Sequence, residues 1–334
     1  MPVGTGTERV RRTYASTTRE PHLMAAAEPS RTAAETATQP SCWRRARREA
    51  ESAAGLPRPG ERVAVVGCGT SWFMAQAYAG LREAAGQGHT DAYAASEFPA
   101  GRRYDRIVAI TRSGTTTEVL DLLAAVRGTA GTATTTLTAD PDTPVATAAD
   151  ELVTLAYADE ESVVQTRFAT TALALLRAGL ERHGAPAAGV KSVTDAAVDA
   201  ELAVTQPLPP ELAAAVQWTF LGRGWTCGLA AEAALKMREA AGAWTESYPA
   251  MEYRHGPMAI TGPGRAVWHF GELPEGLAAD VARVGGHLSA ESTARGLDPM
   301  ADLVRAQRLA VAVAEAKGHD PDRPRNLTRS VVLR

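Results

Sequence analysis

The chain has 334 residues, of which 45% are hydrophobic and 22% charged, with a formal net charge of −3. That length and apolar content support two domains of ordinary size, and the near-neutral charge leaves no footprint for nucleic acid or a membrane surface. Three cysteines without metal-ligand spacing argue against a disulfide framework, and no apolar run is long enough to span a bilayer, so a cytoplasmic protein is expected.

Residues 1–40, rich in Thr, Arg, Ala and Glu and without periodicity, read as a disordered leader in which Met24 is an alternative start. The run Arg44-Arg45-Ala46-Arg47-Arg48 reads as the solvated face of a helix, because no aromatic interleaving or helix-turn-helix pattern accompanies it. From 41 to 185, strands at 62–67, 91–95, 106–111, 132–137 and 151–155 alternate with helices at 71–86, 115–127, 143–149 and 162–182. Such alternation predicts a parallel sheet with helices on both faces. Residues 186–210, with four prolines, read as a linker containing a short helix near 194–204.

A second unit opens at 211 in the manner of the first. Val216–Leu221 is a strand, Gly222-Arg223-Gly224-Trp225-Thr226 a turn and 227–241 a helix. Its Gly-x-Gly lies 155 residues after Gly67-x-Gly69, which predicts a duplicated domain. Beyond a strand at 266–270 and a helix at 275–286 the pattern thins. A strong helix at 299–317 follows, then a Pro-rich tail that has to lie on something already folded.

Two stretches carry the first functional signal: Val66-Gly67-Cys68-Gly69-Thr70-Ser71 and Thr111-Arg112-Ser113-Gly114-Thr115-Thr116-Thr117-Glu118. Each follows an apolar strand and opens a helix, placing free N–H groups and hydroxyls at the positive end of a helix dipole, where a phosphate is favoured. One such turn is ordinary in an α/β protein; two in neighbouring βα units make a phosphate pocket at the strand carboxyl ends the leading reading. The second signal is Glu232, Lys236 and Glu239, which spacings of four and three place on one helical face. Taken alone, Glu232–Lys236 reads as a surface ion pair. His255 follows sixteen residues after Glu239, in Glu252-Tyr253-Arg254-His255-Gly256-Pro257; alone it reads as a turn residue.

Together these motifs resemble the sugar isomerase (SIS) domain family, in particular the isomerase half of glucosamine-6-phosphate synthases. The resemblance implies an α/β fold of two tandem SIS domains, at 41–185 and 211–298, each a doubly wound, flavodoxin-like parallel sheet flanked by helices, followed by a C-terminal helix and tail at 299–334. It implies that Gly69, Thr70 and Ser71 of the first turn, and Thr111, Arg112, Ser113 and Thr116 of the second, hold a sugar phosphate. Arg112 stands where the synthases carry Gln. Gln165 falls in a third sugar-contacting turn, in place of a hydroxyl residue. Glu239 matches the base that moves a proton between C1 and C2, and His255 the ring-opening residue supplied by the neighbouring subunit, so a homodimer is expected. Lys236 and Glu232 match polar residues lining the site, and Glu246 and Glu252 acidic positions of the loop.

Two departures limit what is carried over. Residue 2 is Pro, not a cysteine nucleophile, so no intrinsic glutaminase activity is expected. Arg329 stands at the position of the Schiff-base lysine; a guanidinium stays protonated and is a poor amine nucleophile, so Arg329 is expected to clamp an anion instead. The implied activity is metal-free, cofactor-free proton transfer on a phosphorylated sugar or amino sugar of the hexose 6-phosphate class, which needs a carboxylate to carry the proton and a near-neutral acid/base to open the ring. Glucosamine-6-phosphate deamination and fructosamine-6-phosphate deglycation are alternatives within the class. A phosphosugar sensor without turnover is the alternative outside it.

Overall fold

The structure, a computed structural model, describes residues 28–333. It begins with α1 (Arg31–Ala37) and α2 (Gln39–Glu49) and continues through β1 (Val63–Gly67), α3 (Thr70–Ala84), β2 (Thr90–Ala94), β3 (Arg106–Ile110), α4 (Thr117–Val126), β4 (Ala133–Thr138) and β5 (Glu151–Thr154). Three helices, α5 (Arg167–Glu181), α6 (Val193–Thr205) and α7 (Pro210–Ala214), lead to β6 (Gln217–Gly222) and α8 (Thr226–Ala241). The remainder is β7 (Thr245–Pro249), β8 (Arg265–His269), α9 (Leu277–Arg283), β9 (His287–Ser289), α10 (Glu291–Ala294) and α11 (Pro299–Ala316).

The strands form two parallel sheets, ordered β2-β1-β3-β4-β5 and β7-β6-β8-β9. The first four positions of the larger sheet thus recur in the smaller. Strands β1, β3 and β6 are buried along their whole length; Val63–Val66 and Ile107–Ile110 accordingly read as continuous apolar runs, whereas β6 buries Gln217 and Thr219 hydrogen-bonded to each other. Helix α5 packs against α2 and α3 with every residue from Phe168 to Leu180 buried, its Arg177 paired with Asp298.

The seam between the two layers is the packing of α3 on α8. A methyl added at Gly80 would lie 2.9 Å from Trp225 Cα, and one at Gly228 would lie 2.4 Å from Phe73 O and 2.8 Å from Ala77 N. At the other end Lys236 Nζ lies 2.9 Å from Thr70 Oγ1. The contacts run in opposite order along the two helices, so they are antiparallel, and the last turns of α8 reach the amino terminus of α3.

Several expectations are corrected. The leader was expected to be disordered to residue 40, but residues 31–37 are helical, capped by Ser30 Oγ on Ala33 N; residues 1–27 of that leader, Met24 included, lie outside the described residues. The buried residues of α1 are Thr32, Glu35 and Thr36, so the helix is held by polar contacts that give no hydrophobic period. The short helix expected near 194–204 is present as α6, and it places Ala196, Ala197, Ala200 and Ala203 in the core. The helix expected at 143–149 shrinks to a 3-10 turn at Pro144–Thr147, and that expected at 162–182 begins only at Arg167. In the second unit, β7 and β9 are additional strands, and the helix read at 275–286 covers Leu277–Arg283. The arginines of α2 do form its solvated face, with Arg45–Glu49 and Arg47–Glu51 pairs one turn apart.

Candidate active site

Both hydroxyl-rich turns end at the same edge of the larger sheet, after the adjacent strands β1 and β3, where the strand order reverses. Gly69 adopts φ 55° and ψ −123° at the amino end of α3, a backbone shape that favours glycine. It turns the chain so that Thr70 and Ser71 open the helix. Thr116 precedes α4, and its side chain makes no capping bond, leaving the hydroxyl uncommitted.

A cavity of about 210 Å³ lies over these two turns. Cys68 to Ser71 form one wall; Thr111, Arg112, Ser113 and Thr116 form the next. Gln165, Glu239 and tail residues 327–331 complete it. Thr111 Oγ1 and Gln165 Oε1 are buried without a hydrogen-bond partner, an arrangement that suits a polar ligand.

Glu239 arrives from α8 through a short chain of contacts. Lys236 Nζ donates to Thr70 Oγ1 at 2.9 Å and pairs with Glu239 Oε2 at 2.5 Å. Glu232 stands behind, 3.5 Å from Lys236 Nζ, fully buried and without a hydrogen-bond partner on either oxygen. Burial pushes the Glu232 carboxyl up to about 8 against the pull of Lys236, so at neutral pH it is mostly protonated. Burial lowers the Lys236 ammonium, but the neighbouring carboxylates outweigh that effect and the net shift is upward. Glu239 is the closer carboxylate to the ammonium, at 2.5 Å against 3.5 Å for Glu232. Glu232 and Lys236 lie behind the cavity wall rather than in it.

The two arginines are engaged by groups of the protein itself. Arg112 borders the cavity, but its guanidinium donates to the carbonyls of Ser162, Val163 and Arg329, each at 3.2 Å, and pairs with Glu160 at 3.4 Å. It joins the second turn to the segment at 160–163 and to the tail. Burial raises the Glu160 carboxyl against the pull of Arg112. Glu160 also accepts from Thr166 N, Thr166 Oγ1 and Arg167 N, which fixes the start of α5 at Arg167. Arg329 lines the cavity, and its guanidinium is bound to Asp159 and to the Glu160 carbonyl.

The tail crosses the second turn. Ser330 Oγ lies 3.1 Å from Ser113 Oγ and 2.9 Å from Thr115 Oγ1, and Thr117 N donates to Val331 O at 3.3 Å. His255 is exposed in a 3-10 turn at Glu252–His255 and does not border this cavity; Glu252 is exposed beside it, and Glu246 lies on β7. Sequence reasoning missed Cys68, Glu118 and Ser330 as cavity residues, although the first two sit inside the stretches it singled out. Burial raises the Cys68 thiol, which disfavours the thiolate. Among the described residues, no group of three or more His, Cys, Asp or Glu is placed to hold a metal ion, and no helix is long and apolar enough to cross a membrane.

Two helix amino termini converge with their hydroxyls on one cavity, at the switch point of a 2-1-3-4-5 parallel sheet in an α/β fold, an arrangement suited to an anion. Residues 58–181 match the SIS domain. It is 29% identical over 301 residues to a glutamine–fructose-6-phosphate aminotransferase of Sulfurisphaera tokodaii, covering 82% of this chain and 50% of that protein. The chain thus spans about half the length of the curated relatives it matches. Among solved structures, a glucosamine-6-phosphate deaminase of Thermotoga maritima superposes with a TM-score of 0.74 at 22% identity, over 91% of this chain and 100% of that one. The C-terminal domain of a glucosamine-fructose-6-phosphate aminotransferase of Francisella tularensis superposes with a TM-score of 0.72 at 21% identity, over 89% and 99%. Identities at this level show a shared fold.

Proposed function

We propose that the chain is an enzyme that binds a hexose or hexosamine 6-phosphate and carries a proton between C1 and C2. The observation that carries this reading is the link Glu239–Lys236–Thr70, which ties a carboxylate on α8 to the phosphate turn and leaves that carboxylate in the cavity wall. In this reading the two turns hold the phosphoryl group by hydroxyls and helix amides. Glu239 takes the proton from one carbon, an enediol forms, and the same carboxyl returns the proton to the neighbouring carbon. Lys236 orients the carboxylate, and Glu232, neutral behind it, adds no competing charge. His255 opens the ring from a second copy of the chain, which makes the working unit a homodimer. The second sheet, with its repeated strand order and Gly-x-Gly turn, is read as a degenerate second SIS domain.

Within this class a substrate that brings its own amine, such as glucosamine 6-phosphate or a fructosamine 6-phosphate, is favoured by Arg329. It replaces the lysine an imine would need, and its guanidinium is committed to Asp159. Deuterium incorporation at C1 or C2 in D₂O, with fructose 6-phosphate and then the amino sugars, tests the reading. Exchange that disappears in Glu239→Gln supports it. Binding without exchange for every hexose 6-phosphate tried would leave a phosphosugar sensor instead.

A further inference from the structure

The cavity's third wall, residues 160–165, has no regular secondary structure, yet it supplies Val163 and Gln165 to the site and two carbonyls to Arg112. It is anchored from the side facing away from the cavity by a residue of α1. Glu161 N donates to Glu35 Oε1 at 2.5 Å, Ser162 N to the same oxygen at 3.4 Å and Ser162 Oγ to Glu35 Oε2 at 2.5 Å. Glu35 is itself 6% exposed. Beside it, Val163 N donates to Asp322 O at 3.1 Å, while the Asp322 carboxylate accepts from Arg31 N, Thr32 N and Thr32 Oγ1 and so fixes the first turn of α1. The wall is therefore pinned by the amino-terminal helix and by the tail together, hundreds of residues apart in the chain.

We infer that Glu35 is a positioning residue of the sugar-phosphate site: it sets the height of turn 161–165, and through that turn the seat of Arg112 and of the tail carbonyl that Arg112 holds. This rests on the reading of the cavity as a sugar-phosphate site. Three donors converge on one buried carboxylate. Removing it leaves buried N–H and O–H groups unpaired, a penalty the turn escapes only by moving away from its seat. Glu239 and Thr70 are tied to Lys236 and share no hydrogen bond with that turn, so the base keeps its own anchor. The consequence is a separation of effects. Loss of Glu35 weakens binding and leaves turnover of the bound sugar intact, whereas a general loss of folded protein lowers turnover and leaves KM alone.

The experiment uses the full chain with fructose 6-phosphate, read by deuterium exchange at C1/C2, alongside amide exchange of segment 160–166 followed by mass spectrometry. Glu35→Ala is expected to raise KM about tenfold, the size of a lost buried hydrogen-bond set, with kcat within about twofold. Amide exchange at 161–162 is expected to accelerate. Glu35→Gln keeps an acceptor for the amides and a donor for Ser162 Oγ, and is expected to return KM to within about threefold of the parent. Unchanged KM and unchanged amide exchange in Glu35→Ala overturn the inference, as does a loss confined to kcat. A failure of the underlying function is seen separately: a parent that exchanges no sugar proton, with amide exchange still faster in Glu35→Ala, refutes the catalytic reading and leaves the anchor standing.

Discussion

At Gly67 an added methyl would sit 2.7 Å from Ser71 Cβ, and at Gly222 it would sit 2.3 Å from Thr226 O, so both strand-to-helix turns exclude a side chain at the same place. Beyond that shared geometry the two turns part. Thr226 Oγ1 accepts from Arg223 N at 2.8 Å and is bonded to the carbonyls of Arg223 and Phe270, each at 3.0 Å, which spends the hydroxyl on its own turn and on the end of β8. In the first turn Thr70 Oγ1 accepts instead from Lys236, delivered by the other layer, and Ser71 borders the cavity. The glycines therefore report a backbone shape. The ligand is reported by hydroxyls that the turn leaves unspent.

Four substitutions test that contrast, beginning with the largest effect. Glu239→Gln is expected to slow C1/C2 proton exchange by about 10²–10⁴, while Arg223→Ala in the second turn leaves the rate within about twofold, both read by deuterium incorporation. Gly67→Ala and Gly222→Ala are each expected to cost about 1–3 kcal/mol in urea denaturation, because backbone or Cβ atoms would have to yield. Only Gly67→Ala is expected to abolish phosphate binding; equal binding losses in the two would break the comparison.

The hydroxyls give the next pair. Thr226→Val is expected to lose about 1–3 kcal/mol of stability with phosphate affinity unchanged, since it orphans buried backbone partners. Thr116→Val is expected to do the reverse, weakening phosphate binding about two- to tenfold in titration calorimetry with stability within about 0.5 kcal/mol. The smallest effect concerns pH. The Glu232 carboxyl, at about 8 in the folded chain, lies above the ordinary carboxylate value, so folding binds its proton more tightly. Its contribution to stability is complete below about pH 4 and is lost as the pH rises through about 8. Thermal melts at pH 5 and pH 8 are expected to show a drop in the parent that Glu232→Gln lacks.

How far the sequence could be read follows from which residues carry a local signature. Turn residues at fixed offsets are local signals and mark the cavity walls at residues 69–71, 111–113 and 116, whereas Glu239 is reached only through the family resemblance, since the 4-and-3 spacing on α8 by itself reads as a surface pair. The helix α1 was not legible, since its buried face is Thr32, Glu35 and Thr36 and its partners lie on Ser162 and Asp322, far along the chain. Strand β7, Thr245–Pro249, has no apolar alternation because it lies at a sheet edge, and β9 has only three residues. The role of Arg112 depends on three carbonyls from two remote segments, which no spacing within the second turn encodes.

The close approach of α3 and α8 has a further meaning for the position of Glu239. Gly228 touches no ligand, yet a single methyl there would strike Phe73 O and Ala77 N and push the start of α8 away from its neighbour. Glu239 lies eleven residues along that same rigid rod, roughly 16 Å at the rise of an α-helix. Displacement at one end becomes a swing at the other, so the smallest side chain on the rod acts as the fulcrum on which the aim of the carboxylate depends.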